Sequence, residues 1–175
     1  ALLGAALSVA GLGASEVGGV EAHGTGTALG DPTEAGSMAA AYCAARGAAL
    51  VVGAAKAGIG HAEAASGQAG ICKVAQQLRR QTVTGNAKLR VLNPLVGERL
   101  GVGGAAVLGQ QPLSSGLGSC GLSSFGYSGT IAHVLLTATD DAPADPGCYS
   151  WPRPVVRPMA CTLKRRPLAW RDPVH

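Results

Sequence analysis

Val20-Glu21-Ala22-His23-Gly24-Thr25-Gly26-Thr27 is answered further along the chain by Lys56-Ala57-Gly58-Ile59-Gly60-His61-Ala62-Glu63. Each stretch places a histidine in a glycine-rich loop. A short strand, Val17–Glu21, leads into the first loop, and an apolar run, Leu50–Gly53, leads into the second. Two glycines around His23 remove side-chain bulk, so backbone can come close to a ligand there, and Thr25 and Thr27 offer hydroxyls to a polar arm.

The segments around these loops read as helices. Leu2, Leu3, Ala6, Leu7 and Ala10 recur at helical spacing, closed by Gly11 and Gly13. Asp31 can cap the next helix, with Pro32 at its first position and Glu34 in the place of a capping-box acid. That helix is expected to reach about Arg46, with Gly47 as its stop. A further helix is expected over 62–80, placing His61 at its N-terminus, where the positive dipole end disfavours protonation. Its first half holds Ala64, Ala65, Ser66, Gly67, Ala69 and Gly70. Glycine in a helix costs roughly 1 kcal/mol against alanine, so close packing is the expected compensation.

Asn93-Pro94 marks a turn within the ambiguous stretch 82–101, and residues 105–108 read as a strand. Ser119–Phe125 and Ile131–Thr137 read as two strands joined by a Gly-Tyr-Ser-Gly turn. Strand and helix alternate first and paired strands come last, which predicts an α/β domain with a mixed sheet covered by helices.

A length of 175 residues suits one domain with a sizeable core. Residues are 47% hydrophobic but only 3% aromatic, with 27 glycines, so Ala, Val and Leu must build that core. Charged residues make up 14%, below the roughly 25% of a typical soluble domain, which predicts surface covered by something else. The net charge of +4 resides in the tail, where Arg153, Arg157, Lys164, Arg165, Arg166 and Arg171 face only Asp172. Those basic residues alternate with prolines and form no helical stripe, so they read as a linker along a neighbouring surface and not as a nucleic-acid site.

Cys43, Cys72, Cys120, Cys148 and Cys161 show no C-x-x-C spacing, so neither a metal site nor a disulfide framework is indicated, and a reducing, intracellular compartment fits. No cysteine sits at a strand-to-helix elbow of the kind an activated thiol favours. No apolar run approaches membrane-spanning length.

The two histidine motifs, followed by Leu122-Ser123-Ser124-Phe125-Gly126-Tyr127-Ser128-Gly129-Thr130, resemble in order the C-terminal half of a β-ketoacyl synthase of polyketide and fatty-acid synthases. The resemblance implies the C-terminal half of a thiolase-like fold over residues 1–138, truncated at its N-terminus. Residues 139–175 resemble the start of a post-ketosynthase linker. It further implies an acyltransferase that performs a decarboxylative Claisen condensation between an acyl-cysteine and a malonyl unit. His23 and His61 would hold the malonyl thioester oxygen, with Lys56 as a supporting lysine. Thr25 and Thr27 would contact the phosphopantetheine arm of an acyl carrier protein. Tyr127 would gate the acyl pocket and lend its N–H to the oxyanion hole.

No cofactor of the chain's own is implied. Expected partners are the missing N-terminal half with its nucleophilic cysteine, the carrier protein, and a second copy in a full-length homodimer. The fragment alone is expected to be inactive, and cytoplasm or plastid both fit. His133 reads as structural. Departures from the family pattern are Tyr127 for phenylalanine, Ile131 for asparagine, and Ala57-Gly58 for a frequent Ser-Asn pair. Two rivals stay open: a non-catalytic partner or scaffold of the chain-length-factor type, and a thiolase-type acyltransferase, which the two-histidine pattern disfavours.

Overall fold

The computed structural model describes residues 1–138 apart from 45, 102, 103 and 115. The Pro/Arg tail lies outside the described residues, and so do Cys148, Cys161 and both tryptophans.

In chain order the elements are α1 (Leu2–Ala10), β1 (Val17–Glu21), α2 (Gly30–Met38), β2 (Leu50–Gly53), α3 (Lys56–Ile59) and α4 (Ser66–Arg80). They continue with β3 (Thr82–Val83), α5 (Pro94–Leu100), β4 (Ala106–Val107), β5 (Leu113–Ser114), β6 (Ser119–Phe125) and β7 (Ile131–Thr137). Five strands form one sheet in the order β4-β2-β1-β6-β7, and β3 pairs with β5 apart from it. The first four strands run parallel, and β7 returns antiparallel beside β6, from Ser119↔Thr137 to Phe125↔Ile131. The mixed sheet is therefore present, and both strands of the final hairpin keep their expected bounds.

β1 is the central strand and is buried along most of its length. On one side Leu3, Ala6 and Leu7 of α1, Ala35 and Met38 of α2 and Leu100 of α5 share a core with Val17, Val20, Leu50, Val52 and Leu135. A second cluster joins Val74 and Leu78 of α4 to Val83, Leu117 and Cys120. Small residues in α4 have the expected cause. A Cβ on Gly70 would lie 2.5 Å from Leu122 Cδ1 of β6, and one on Gly67 would lie 3.3 Å from Ser124 Oγ.

Four local expectations are corrected. Asp31 does not cap α2, which starts at Gly30 without a side-chain cap; its carboxylate instead accepts the Gly26 N–H at 3.1 Å through both oxygens. The helix does not run unbroken to Arg46, because a π-turn over Ala39–Cys43 follows Met38. Arg46 donates to the carbonyls of Ala14, Val17, Tyr42 and Ala48, satisfying chain ends that would otherwise lack partners. Asn93 opens a helix, accepting the Leu95 N–H at 3.0 Å with Pro94 in the first turn. Finally, residues 62–65 are not α-helical: a 3-10 turn, Glu63–Ala65, separates His61 from α4.

Candidate active site

Parallel α/β sheets present their loops at the carboxyl ends of the strands. His23 lies two residues beyond β1, Lys56 three residues beyond β2, and Phe125 ends β6. The expected pair is brought together: the rings of His23 and His61 are 5.7 Å apart between centroids and nearly perpendicular, at 86°.

Each imidazole is held by a backbone amide. The Phe125 N–H donates to Nδ1 of buried His23 at 3.3 Å. The Glu63 N–H donates to Nδ1 of exposed His61 at 2.9 Å, with Ser66 Oγ 3.2 Å from the same nitrogen. An Nδ1 that accepts cannot carry a proton, so both rings are neutral tautomers with the hydrogen on Nε2. Among the described residues no side chain or backbone group bonds either Nε2. The site thus exposes two N–H donors.

The conformation that achieves this at His61 is strained. Gly60 (φ 79°) and Glu63 (φ 48°) bracket it in the left-handed region, where a non-glycine residue costs on the order of 1 kcal/mol. Direct hydrogen bonds from Glu63 and Ser66 set this ring, which stands outside the first turn of α4.

Electrostatics favour the neutral form of His23 as well. Burial lowers its pKa, Lys56 lowers it further, and a proton on His61 would add to that, against an opposing contribution from Asp31. Burial likewise lowers the pKa of Lys56, opposed by the carboxylates of Glu21 and Glu34. Glu34, which sequence reasoning placed in a capping box, is buried and accepts the N–H groups of His23 at 2.7 Å and Gly24 at 3.0 Å. Burial raises its pKa, and these two bonds counteract the rise. The acids of α2 thus brace the His23 loop.

Thr25 and Thr27 lie side by side. The place a Cβ would occupy on Gly30 is 2.3 Å from Thr27 Oγ1 and 3.9 Å from Thr25 Oγ1. Thr27 Oγ1 accepts the Gly30 N–H at 3.1 Å, which leaves its own hydrogen free to donate. Tyr127 lies in the turn between β6 and β7, and its side chain is exposed in this chain. Phe125 supplies the aromatic ring at the site, 5.0 Å from His23 and tilted by 46°. Its position at the end of β6, opposite Ile131, was the available signal that it faces the other strand ends.

Sequence reading also missed Asn86. Its buried amide accepts the Ala54 N–H at 2.9 Å and donates to Val52 O at 3.0 Å, pinning the chain just before Lys56. His133 lies away from the pair, with Tyr42 OH 2.6 Å from Nε2 and Ser123 Oγ 3.0 Å from Nδ1. Cys120 is buried in β6, and burial pushes its thiol up to about 12. Cys43 is likewise raised by burial.

These features define an α/β protein with paired, neutral imidazole donors at the carboxyl edge of a mostly parallel sheet. Residues 1–90 match the family model of the β-ketoacyl synthase C-terminal domain, and the chain belongs to that family. It is 40% identical over 143 residues to erythronolide synthase EryA2 of Saccharopolyspora erythraea, covering 80% of this chain and 4% of that protein. Mycoketide-CoA synthase of Mycobacterium tuberculosis is 38% identical over 156 residues, covering 87% of the chain and 4% of the relative. Among solved structures, the oxazolomycin ketosynthase domain KS7 of OzmH from Streptomyces albus superposes with a TM-score of 0.71 at 36% identity. That match covers 78% of this chain and 24% of the other. Ketosynthase twelve of the bacillaene synthase from Bacillus amyloliquefaciens gives a TM-score of 0.68 at 28% identity, covering 78% and 25%. The chain therefore has the ketosynthase, thiolase-like fold and spans about a quarter of these solved ketosynthase chains. Among the described residues, no helix is long and apolar enough to cross a membrane.

Proposed function

We propose that this chain supplies the histidine half of a polyketide ketosynthase, which joins an acyl group to a malonyl unit with loss of CO2. The observation that carries the reading is the pair of neutral rings whose Nδ1 atoms are occupied by backbone N–H groups. Their Nε2–H donors, on rings 5.7 Å apart, suit a single oxygen accepting from both sides.

Malonyl thioester, carried on the phosphopantetheine arm of an acyl carrier protein, enters past Thr25 and Thr27, whose hydroxyls bond the arm. Its thioester oxygen accepts from His23 and His61. Breaking the bond to the carboxylate releases CO2 and leaves the electron pair as an enolate, whose negative oxygen the two donors stabilise. The enolate carbon then attacks an acyl thioester on a cysteine of the N-terminal half, and the cysteine thiolate leaves. Lys56, close to His23 and facing Glu21 and Glu34, keeps the potential around the enolate positive. The full enzyme works as a homodimer and needs no cofactor beyond the carrier's arm.

Burial raises the thiols of Cys43 and Cys120, which suits neither to the nucleophile's role, and the chain alone is expected to form no β-ketoacyl product. Malonyl-carrier decarboxylation by the intact ketosynthase tests the assignment. His23→Ala and His61→Ala should each slow it by about 10²–10³, the usual loss of one oxyanion donor, with the fold intact by circular dichroism. Unchanged decarboxylation in both would remove the pair from the reaction.

A further inference from the structure

Glu21 enters the chemistry above only through its charge near Lys56, yet it is a 3%-exposed carboxylate on the central strand. A buried ionised group persists only where partners repay its desolvation. Its Oε1 accepts the N–H of Ala55, the residue before Lys56, and its Oε2 accepts from Nζ of Lys73 in α4, both at 2.5 Å. Room for the pair comes from two glycines. A Cβ on Gly53, which faces Glu21 in the β1–β2 register, would lie 3.4 Å from Glu21 Oε2 and 3.2 Å from Lys73 Nζ. A Cβ on Gly70 would lie 3.6 Å from Glu21 Cγ.

One carboxylate therefore contacts three segments of the site. It stands two residues before His23, holds the amide that starts the Lys56 turn, and grips the helix whose first residue, Ser66, touches His61. Glu21, Ala55, Lys56, Ser66 and Gly70 line one small cavity. From this geometry we infer that Glu21 is a positioning residue: its acceptance of the Ala55 N–H sets Lys56 and the His61 end of α4 in register with His23. Lys73 neutralises the carboxylate and does not itself set the register.

The inference rests on the ketosynthase reading of the site, so the test separates the two. The measurement is malonyl-carrier decarboxylation by the intact ketosynthase, with thermal unfolding alongside. E21Q/K73M removes both charges but keeps an oxygen for Ala55. E21L/K73M replaces the pair with apolar residues of similar volume, which need not destabilise, and leaves the Ala55 N–H without an acceptor.

The expected result is kcat within about threefold of the parent for E21Q/K73M and at least about tenfold lower for E21L/K73M, with KM little changed, because displacements near 1 Å reach 10²-fold in rate. A purely structural ion pair would leave kcat of the folded E21L/K73M enzyme untouched, and that outcome overturns the inference. Should E21L/K73M not fold, Ala55→Pro breaks the same bond from the donor side, since Ala55 at φ −57° suits proline. Loss of at least about tenfold in kcat there supports the inference, and parental kcat overturns it. His23→Ala and His61→Ala run in parallel. If they lose activity while the Glu21 variants do not, only the positioning role falls.

Discussion

The backbone N–H of Phe125 bonds Nδ1 of His23 across 102 residues of sequence, and the Phe125 ring lies 5.0 Å from the same imidazole. The end of β6 thus does two things for a loop of β1. It fixes the tautomer and backs the ring with an apolar surface. Phe125→Ala keeps the amide but removes the backing. In the intact ketosynthase it should lower malonyl decarboxylation by about tenfold or more, through a looser His23, because small misplacements are expensive in rate. Tyr127→Ala, in the exposed turn, should change that rate little. Equal losses in the two variants would return the aromatic role to Tyr127.

The neutral state of His23 predicts a pH profile. Its pKa is lowered from the ordinary 6.5, first by burial and then by Lys56. Decarboxylation needs the neutral donor, so the contribution of His23 is lost only as pH drops below 6.5, through the lowered value. Lys56→Gln removes one lowering charge, so the acid limb should move up in pH whatever happens to the maximal rate. A limb that stays fixed or moves down would show that Lys56 does not act on His23 electrostatically.

His133 offers a stability prediction with a definite sign. It is partly buried between Tyr42 and Ser123, and desolvation there lowers its pKa from 6.5 to about 4. Between those values the unfolded chain binds the proton that the folded chain refuses, so stability rises with pH across that window. The full span corresponds to a contribution on the order of 3 kcal/mol. Acidifying the intact protein from pH 6.5 to 4.5 should therefore lower its thermal midpoint more than that of His133→Gln, which has no such proton to take up. Parallel curves would mean that His133 is not held neutral.

What the sequence made legible follows from the range of the forces involved. β2 and β7 could be read as largely apolar runs, and β1 and β6 from the glycine-rich loop or turn that follows each. His23 and His61 could be read because the glycines after the first and before the second mark loops that approach a ligand. The partners of those histidines were hidden. Glu34 sits where local rules place a capping acid, yet it turns to the amides of His23 and Gly24, since a buried N–H without a partner costs more than a helix end facing water. Phe125 and Glu21 bond a loop or helix residue distant in sequence, which no local pattern encodes. Tyr127 could be read only through the resemblance of its glycine-rich turn, since its side chain touches no ring of the site within this chain.

The closeness of α4 to β6 gives the last prediction, where two effects of opposite sign compete at Gly70. Alanine favours a helix over glycine by roughly 1 kcal/mol, so Gly70→Ala would stabilise an exposed helix. Here the new methyl would lie 2.5 Å from Leu122 Cδ1 and 3.6 Å from Glu21 Cγ. Leu122 is itself 4% exposed in β6, so it has little room to turn away. Overpacking of this kind costs about 1–3 kcal/mol, which offsets the propensity gain of roughly 1 kcal/mol and leaves a net loss of up to about 2 kcal/mol. Thermal unfolding of the intact ketosynthase should show a lower midpoint for Gly70→Ala, partly restored by adding Leu122→Val, which removes the opposing methylene. A midpoint raised by Gly70→Ala alone would mean that helix propensity outweighs packing and that α4 lies farther from β6 than the contact implies.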